Sequence, residues 1–175
     1  CPGNKWLRML AERLEPHVHD QGLALFAIRE QAVERGFKDK ILGMIEAGGF
    51  EIVAVRDLSR EVVEYSAPRT RGGNWRIGPF ATSGGPPAVA VVVYDPEPLA
   101  PNRRQRRKFP QRSNARIFLK EQIRDSIIAE LPDKEGFNAI HSSDHAAEAW
   151  HLLELYAPDL MDPVRQRLSG NQQQP

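Results

Sequence analysis

Residues 88–94 (AVAVVVY) constrain this chain more than any other segment. Branched side chains lose rotamer freedom in a helix and pack well on a pleated surface, so the run is the strongest strand signal present. Residues 23–28 (LALFAI) are a second unbroken apolar run, following Gly22 and short enough for a buried strand. Both fall well short of the ~18 apolar residues of a membrane span, and no membrane association is expected. Between them, residues 32–47 set Val33, Phe37, Ile41, Met44 and Ile45 on one helical face and stop at Gly48 and Gly49. Residues 50–55 (FEIVAV) alternate as a strand should.

Further along, residues 58–64 read as a short helix and 66–87, rich in Gly, Pro, Arg and Ser, as a long loop of the kind that carries function. A helix is expected over 114–131, with Ile117, Leu119, Ile123, Ile127 and Ile128 on its apolar face. A brief strand is expected over 137–140, and a helix over 144–156 capped by Ser143 or Asp144. Strands alternating with helices in 175 residues predict one α/β sandwich, a sheet with helices packed on it, with a split β-α-β (ferredoxin-like) arrangement as one standard solution. The expected organisation is an extra N-terminal helix or linker over 1–20, the folded domain over 21–160, and a disordered tail over 161–175. Cys1 is the single cysteine, which excludes an intrachain disulfide framework and a cysteine-based zinc site and fits a reducing, cytoplasmic compartment. The chain begins without methionine, as a piece of a longer polypeptide with a fused or partner domain upstream would.

The net charge of +1 hides a strong asymmetry. Residues 103–124 hold nine basic residues and one acid, Glu121, for a local charge of +8 against −7 for the rest. Such a block points to a polyanionic ligand or to a solvated loop.

Chemistry concentrates in Asn138-Ala-Ile-His141-Ser-Ser-Asp144, where a strand delivers a histidine just before a helix start, near backbone N–H groups that attract phosphate oxygens. Asn-x-x-His-Gly-Ser-Asp before a helix is the active-site signature of the nucleoside diphosphate kinases, and this sequence resembles it with Ser142 in place of glycine. LALFAIREQAVERG resembles that family's first strand and helix, GGFEIVAVRDL its second strand, and SGGPPAVAVVVY its Ser-Gly-Pro and third strand. The resemblance covers residues 22–95 and 114–157 in the family's order.

That resemblance implies a ferredoxin-like β-α-β-β-α-β sheet and a two-step phosphoryl transfer. The γ-phosphate of a nucleoside triphosphate passes to a histidine, here His141, and then to a nucleoside diphosphate, with Mg²⁺ carried on the phosphates of ATP or another triphosphate. It further implies phosphate contacts from Arg29, Tyr65, Arg116 and Arg124, a sugar or phosphate hydrogen bond from Asn138, and a base stacked on Trp75, with Ser143 and Asp144 shaping the helix start. A homo-oligomer is implied as well. Two departures stand out: Arg29 replaces the family's lysine, and Leu152 occupies the place of a glutamate that holds the imidazole's second nitrogen, a contact Glu148 or a backbone carbonyl would have to supply. His145 and His151 lie six apart, not at the i, i+4 spacing of helical zinc ligands, so no protein metal site is expected. Two other functions compete with phosphotransfer: a nucleotide-binding or regulatory module without efficient kinase activity, and nucleic-acid binding through residues 103–124.

Overall fold

The computed structural model describes residues 21–71, 73, 75, 84–132 and 136–170. Strand β1 (Leu23–Arg29) leads into helices α1 (Glu30–Glu34) and α2 (Lys38–Ala47), then β2 (Glu51–Asp57), α3 (Arg60–Ser66) and β3 (Pro87–Tyr94). Helix α4 (Arg103–Lys108), a 3₁₀ turn (Ala115–Phe118) and α5 (Leu119–Glu130) follow, then β4 (Ile140–Ser142), α6 (Ala146–Tyr156) and α7 (Met161–Gly170). The strands form one antiparallel sheet in the order β2-β3-β1-β4, the ferredoxin-like order expected.

Strand β1 is buried along its whole length, which explains an apolar run without alternation. Its Ala24, Phe26 and Ile28 pack with Ile41 and Ile45 of α2 and with Ile123 and Ile127 of α5. Leu23, Leu25 and Ala27, on the opposite face, pack with Trp150, Leu152 and Leu153 of α6 and with Val164 and Leu168 of α7. The sheet is therefore covered on both sides, and its central strand sits at the middle of three layers.

Several boundaries differ from the sequence expectation. The helix expected over 32–47 is two helices, broken where Gly36 adopts φ +81°, a backbone conformation that β-carbons disfavour. The strand expected over 137–140 is shifted to Ile140–Ser142. The basic stretch contains a helix, α4, fixed by a reciprocal capping box between Asn102 and Gln105. The tail expected from residue 161 is instead α7 through Gly170. Val164 and Leu168, four apart on one face, are enough to dock an otherwise polar helix. The N-terminal helix expected over 1–20 and the tail beyond 170 lie outside the described residues. Among the described residues no helix is long and apolar enough to cross a membrane.

Candidate active site

Edge strand β4 places His141. It pairs with β1 so that His141 stands opposite Ala27, and directly opposed residues share a face. His141 therefore lies on the side of the sheet covered by α6, as do Ala27 and Arg29. After β4 the pairing continues: the Ser143 N–H donates to the Leu25 carbonyl (2.9 Å), and Ser143 Oγ accepts from the Leu25 N–H (3.0 Å). With Ser143 so engaged, the N-cap of α6 passes to His145, whose Nδ1 accepts from the Glu148 N–H (3.1 Å). Glu148 Oε2 in return accepts from the Asp144 N–H (2.6 Å). The cap expected at Ser143 or Asp144 is thus one residue or more too early.

A pocket opens beside the imidazole, lined by Arg29, Thr70, Arg71, Trp75 and Tyr156 among others. Arg29 ends β1, is 5% exposed, and donates from Nη1 to the Gly85 carbonyl (2.7 Å). The loop bearing that carbonyl approaches β4 closely. Gly84 has φ +99°, and a β-carbon there would lie 2.1 Å from the Asn138 carbonyl oxygen, so the position admits glycine alone. From α5, Arg124 donates through Nε (3.0 Å) and Nη2 (2.6 Å) to the Ile140 carbonyl, the residue before the histidine. Arg71 reaches in from the loop after α3, with Nη2 2.8 Å from Asp144 Oδ2 and Nε 3.0 Å from Glu148 Oε1. Behind them Asp144, 1% exposed, also meets Arg112 (3.1 Å) and Lys120 (3.5 Å) through Oδ1.

This surround fixes the charge states. Burial, followed by Lys120, Arg71, Arg29 and Arg124, pushes the His141 pKa down to about 3, so the imidazole is neutral at physiological pH. Burial and neighbouring Arg112 bring Lys120 down to about 8 against the opposing pull of Asp144 and Glu121. Burial lowers the guanidinium pKa of both Arg29 and Arg124, and Arg124 adds to the effect on Arg29. For Asp144 burial acts upward, but Lys120, Arg71 and Arg112 together outweigh it and hold the carboxyl below its ordinary value. Burial raises Tyr156 to about 12, so its hydroxyl stays protonated, and it hydrogen-bonds Thr70. Among the described residues, His141 Nε2, Arg29 Nε and Trp75 Nε1 in the pocket lining, and Asn138 Oδ1 on the segment leading into β4, are buried polar atoms without a hydrogen-bond partner.

The structure thus brings together His141, Arg29, Arg124 and Trp75, with Asn138, Ser143 and Asp144 alongside. It does not bring Tyr65 or Arg116 to the pocket. Tyr65 is 57% exposed under the Arg69 guanidinium, 4.0 Å from its ring centre. Arg116 lies 3.1 Å from Asp95, which follows β3 where Tyr94 pairs with Leu23, at the far end of β1 from the Ala27–His141 pair. Glu148 does not replace the missing glutamate, since its carboxylate serves Arg71 and the Asp144 N–H. Leu152, 2% exposed, is a core residue of the α6 layer. Sequence reasoning missed Arg71, Lys120 and Tyr156. Lys120 carried a readable signal, standing three and seven residues before Ile123 and Ile127 on the buried stripe of α5. Arg71 carried none, because its role depends on a loop path. Among the described residues there is no cluster of three metal-binding side chains, and both carboxylates near the pocket are taken by cations, so these residues do not fit a magnesium site of their own.

Comparison with known proteins finds nucleoside diphosphate kinases at modest identity. The chain is 26% identical to the nucleoside diphosphate kinase of Saccharopolyspora erythraea over 140 residues, spanning 78% of this chain and 96% of that protein. It is 27% identical to the Mycobacterium avium enzyme of the same name over 139 residues, spanning 77% and 96%. At these identities the chain is similar to the nucleoside diphosphate kinases and divergent from them. No protein-family profile matches it. Among solved structures, the nucleoside diphosphate kinase of Aquifex aeolicus aligns at 23% identity with a TM-score of 0.43, covering 77% of this chain and 93% of that one. An NDP kinase from Pyrobaculum aerophilum aligns at 21% and 0.37, covering 77% and 94%.

Proposed function

We propose that this protein is a phosphotransferase that carries a γ-phosphate from a nucleoside triphosphate to a nucleoside diphosphate through His141. The observation that supports this most is a neutral, desolvated imidazole set among Arg29, Arg71, Arg124 and Lys120. Neutral imidazole has a lone pair to offer, and fixed cations in a water-poor site stabilise the charge that develops on transferring phosphoryl oxygens. In the first step a ring nitrogen attacks the γ-phosphorus. An N–P bond forms, the bond to the bridging oxygen breaks, and the diphosphate leaves with the electron pair. In the second step a terminal oxygen of an incoming diphosphate attacks the same phosphorus and the N–P bonding pair returns to the imidazole.

Arg29 Nε–H and Trp75 Nε1–H are donors without acceptors beside that imidazole, and a phosphoryl oxygen supplies one. On this reading Trp75, 4% exposed, acts through its indole N–H and not as a base-stacking platform. Asn138 Oδ1 is free to accept from a sugar hydroxyl. Mg²⁺ belongs to the incoming nucleotide, since the side chains here meet phosphate with cations. A homo-oligomer in a reducing, cytoplasmic setting is part of the same reading, and sedimentation tests the assembly.

Incubation with γ-labelled ATP should leave acid-labile, alkali-stable label on the protein, absent from His141→Ala. ATP binding with no label in the unmodified chain sinks the transfer step. One observation favours a second reading, a nucleotide-binding module that does not turn over: among the described residues no carboxylate holds His141 Nε2, and the position that the resemblance assigns to one is Leu152. Calorimetry with ADP and ATP separates the two readings from no binding at all.

A further inference from the structure

The +8 block of residues 103–124 is two features in the structure. Its second half lies within the fold. Arg112 meets Asp144 and Glu121, Arg116 meets Asp95, Lys120 meets Asp144, and Arg124 is oriented by the Ile140 carbonyl beside the histidine. Its first half, helix α4, carries five cations and no acid in six residues, and all five are exposed. Among the described residues Arg103, Arg104, Arg107 and Lys108 make no ion pair, and Arg106 donates only to the Pro101 carbonyl (2.8 Å). At about 100° per residue, Arg103, Arg104, Arg107 and Lys108 fall in one arc of roughly 140°.

Like charges four apart, here Arg103 with Arg107 and Arg104 with Lys108, work against a helix. The helix nevertheless has a complete capping box, and the buried Pro101 anchors its start through Arg106. An ordered, self-repelling cationic face that contributes nothing to the core fits a polyanion outside the chain. We infer that the Arg103–Lys108 helix is a docking surface for the phosphate backbone of duplex nucleic acid, read without regard to base sequence. Single strands are bound largely by stacking bases on open aromatic rings. The ring next to this face, Phe109, is already covered by Arg112 (4.1 Å), Lys108 (5.3 Å) and the edge-on Phe118 (5.6 Å). Phosphate contact without stacking is what a duplex offers.

The test is fluorescence anisotropy of the full chain with a labelled 20-base-pair DNA duplex across a salt series. Four phosphate contacts give a log–log salt slope of about −3.6, hence about a 150-fold loss of affinity between 50 and 200 mM salt. The combined variant Arg103→Glu, Arg104→Glu, Arg107→Glu, Lys108→Glu should lose binding at least about 100-fold at low salt with unchanged circular dichroism, whereas Arg165→Glu with Arg167→Glu should change it less than about 5-fold. A flat salt dependence, equal losses in both variants, tighter binding to the matching single strand, or binding to vesicles of anionic lipid but not to duplex would each overturn the inference. None of these results bears on phosphorylation of His141.

Discussion

Replacing His141 by glutamine should remove a specific part of this protein's acid sensitivity. In the folded chain the imidazole has a pKa of about 3, against about 6.5 in an unfolded chain. The folded value is the lower one, so between these limits the unfolded state binds the extra proton and stability falls as pH falls. At pH 7 both states are almost wholly neutral and the effect is about 0.2 kcal/mol; at pH 5 it reaches about 2 kcal/mol, and any folded pKa below about 4 gives nearly the same figure. Asp144, held below its ordinary carboxylate value, stays largely ionised across pH 7 to 5, and other groups that titrate there are common to both proteins. The quantity to measure is therefore the difference in urea unfolding free energy between the native chain and His141→Gln, at pH 7, 6 and 5. It should change by about 2 kcal/mol across the series, with the native chain losing the more. A difference that stays constant with pH would mean that the imidazole is not held neutral by its surroundings, and the nucleophile argument would fail with it.

Arg29→Met removes a buried cation that has no carboxylate partner among the described residues, so the unligated fold should keep its stability while ATP affinity falls about 10- to 100-fold by calorimetry. Lys120→Met removes the second-largest influence on His141, and the imidazole pKa followed by NMR should rise toward its ordinary value. The folded pKa of Lys120, about 8, lies below its unfolded one, so native stability should rise between pH 8 and 10.5 by up to about 3 kcal/mol relative to that variant. Trp75→Phe keeps the ring and loses the N–H, and should weaken nucleotide binding about 3- to 10-fold without lowering the melting temperature. Leu152→Ala should cost about 2 to 5 kcal/mol in denaturant unfolding, the mark of a core residue.

The fold was largely legible because its strands announce themselves by composition: AVAVVVY and LALFAI are β3 and β1, the two central strands. The helix ends were less so, because they depend on which side chains are already engaged. Ser143 has the chemistry of an N-cap, but its hydroxyl is bonded to Leu25, and the cap moves to His145. Of the candidate site, the histidine and the strand-end arginine follow from the motifs that carry the family resemblance. Arg71 could not be read in this way, because its contact with Asp144 joins residues far apart in the chain. Nor could the separation of Arg116 from the pocket, which depends on Asp95 standing at the other end of β1.

The same distinction explains why counting charge locates a ligand less well than asking which charges are answered. Arg112 and Lys120 lie as deep as Arg29, yet both face the Asp144 carboxylate. Among the described residues Arg29 and Arg124 hydrogen-bond backbone carbonyls and form no ion pair, so each guanidinium is oriented more than it is neutralised. Burying an unneutralised charge is costly, and their lowered pKa values express that cost. An anion bound between them relieves it, so ligand binding and fold stability are coupled at this point in the chain. The coupling needs no movement of the sheet, because Gly84, Gly85 and the Ile140 carbonyl already hold both arginines in place beside His141.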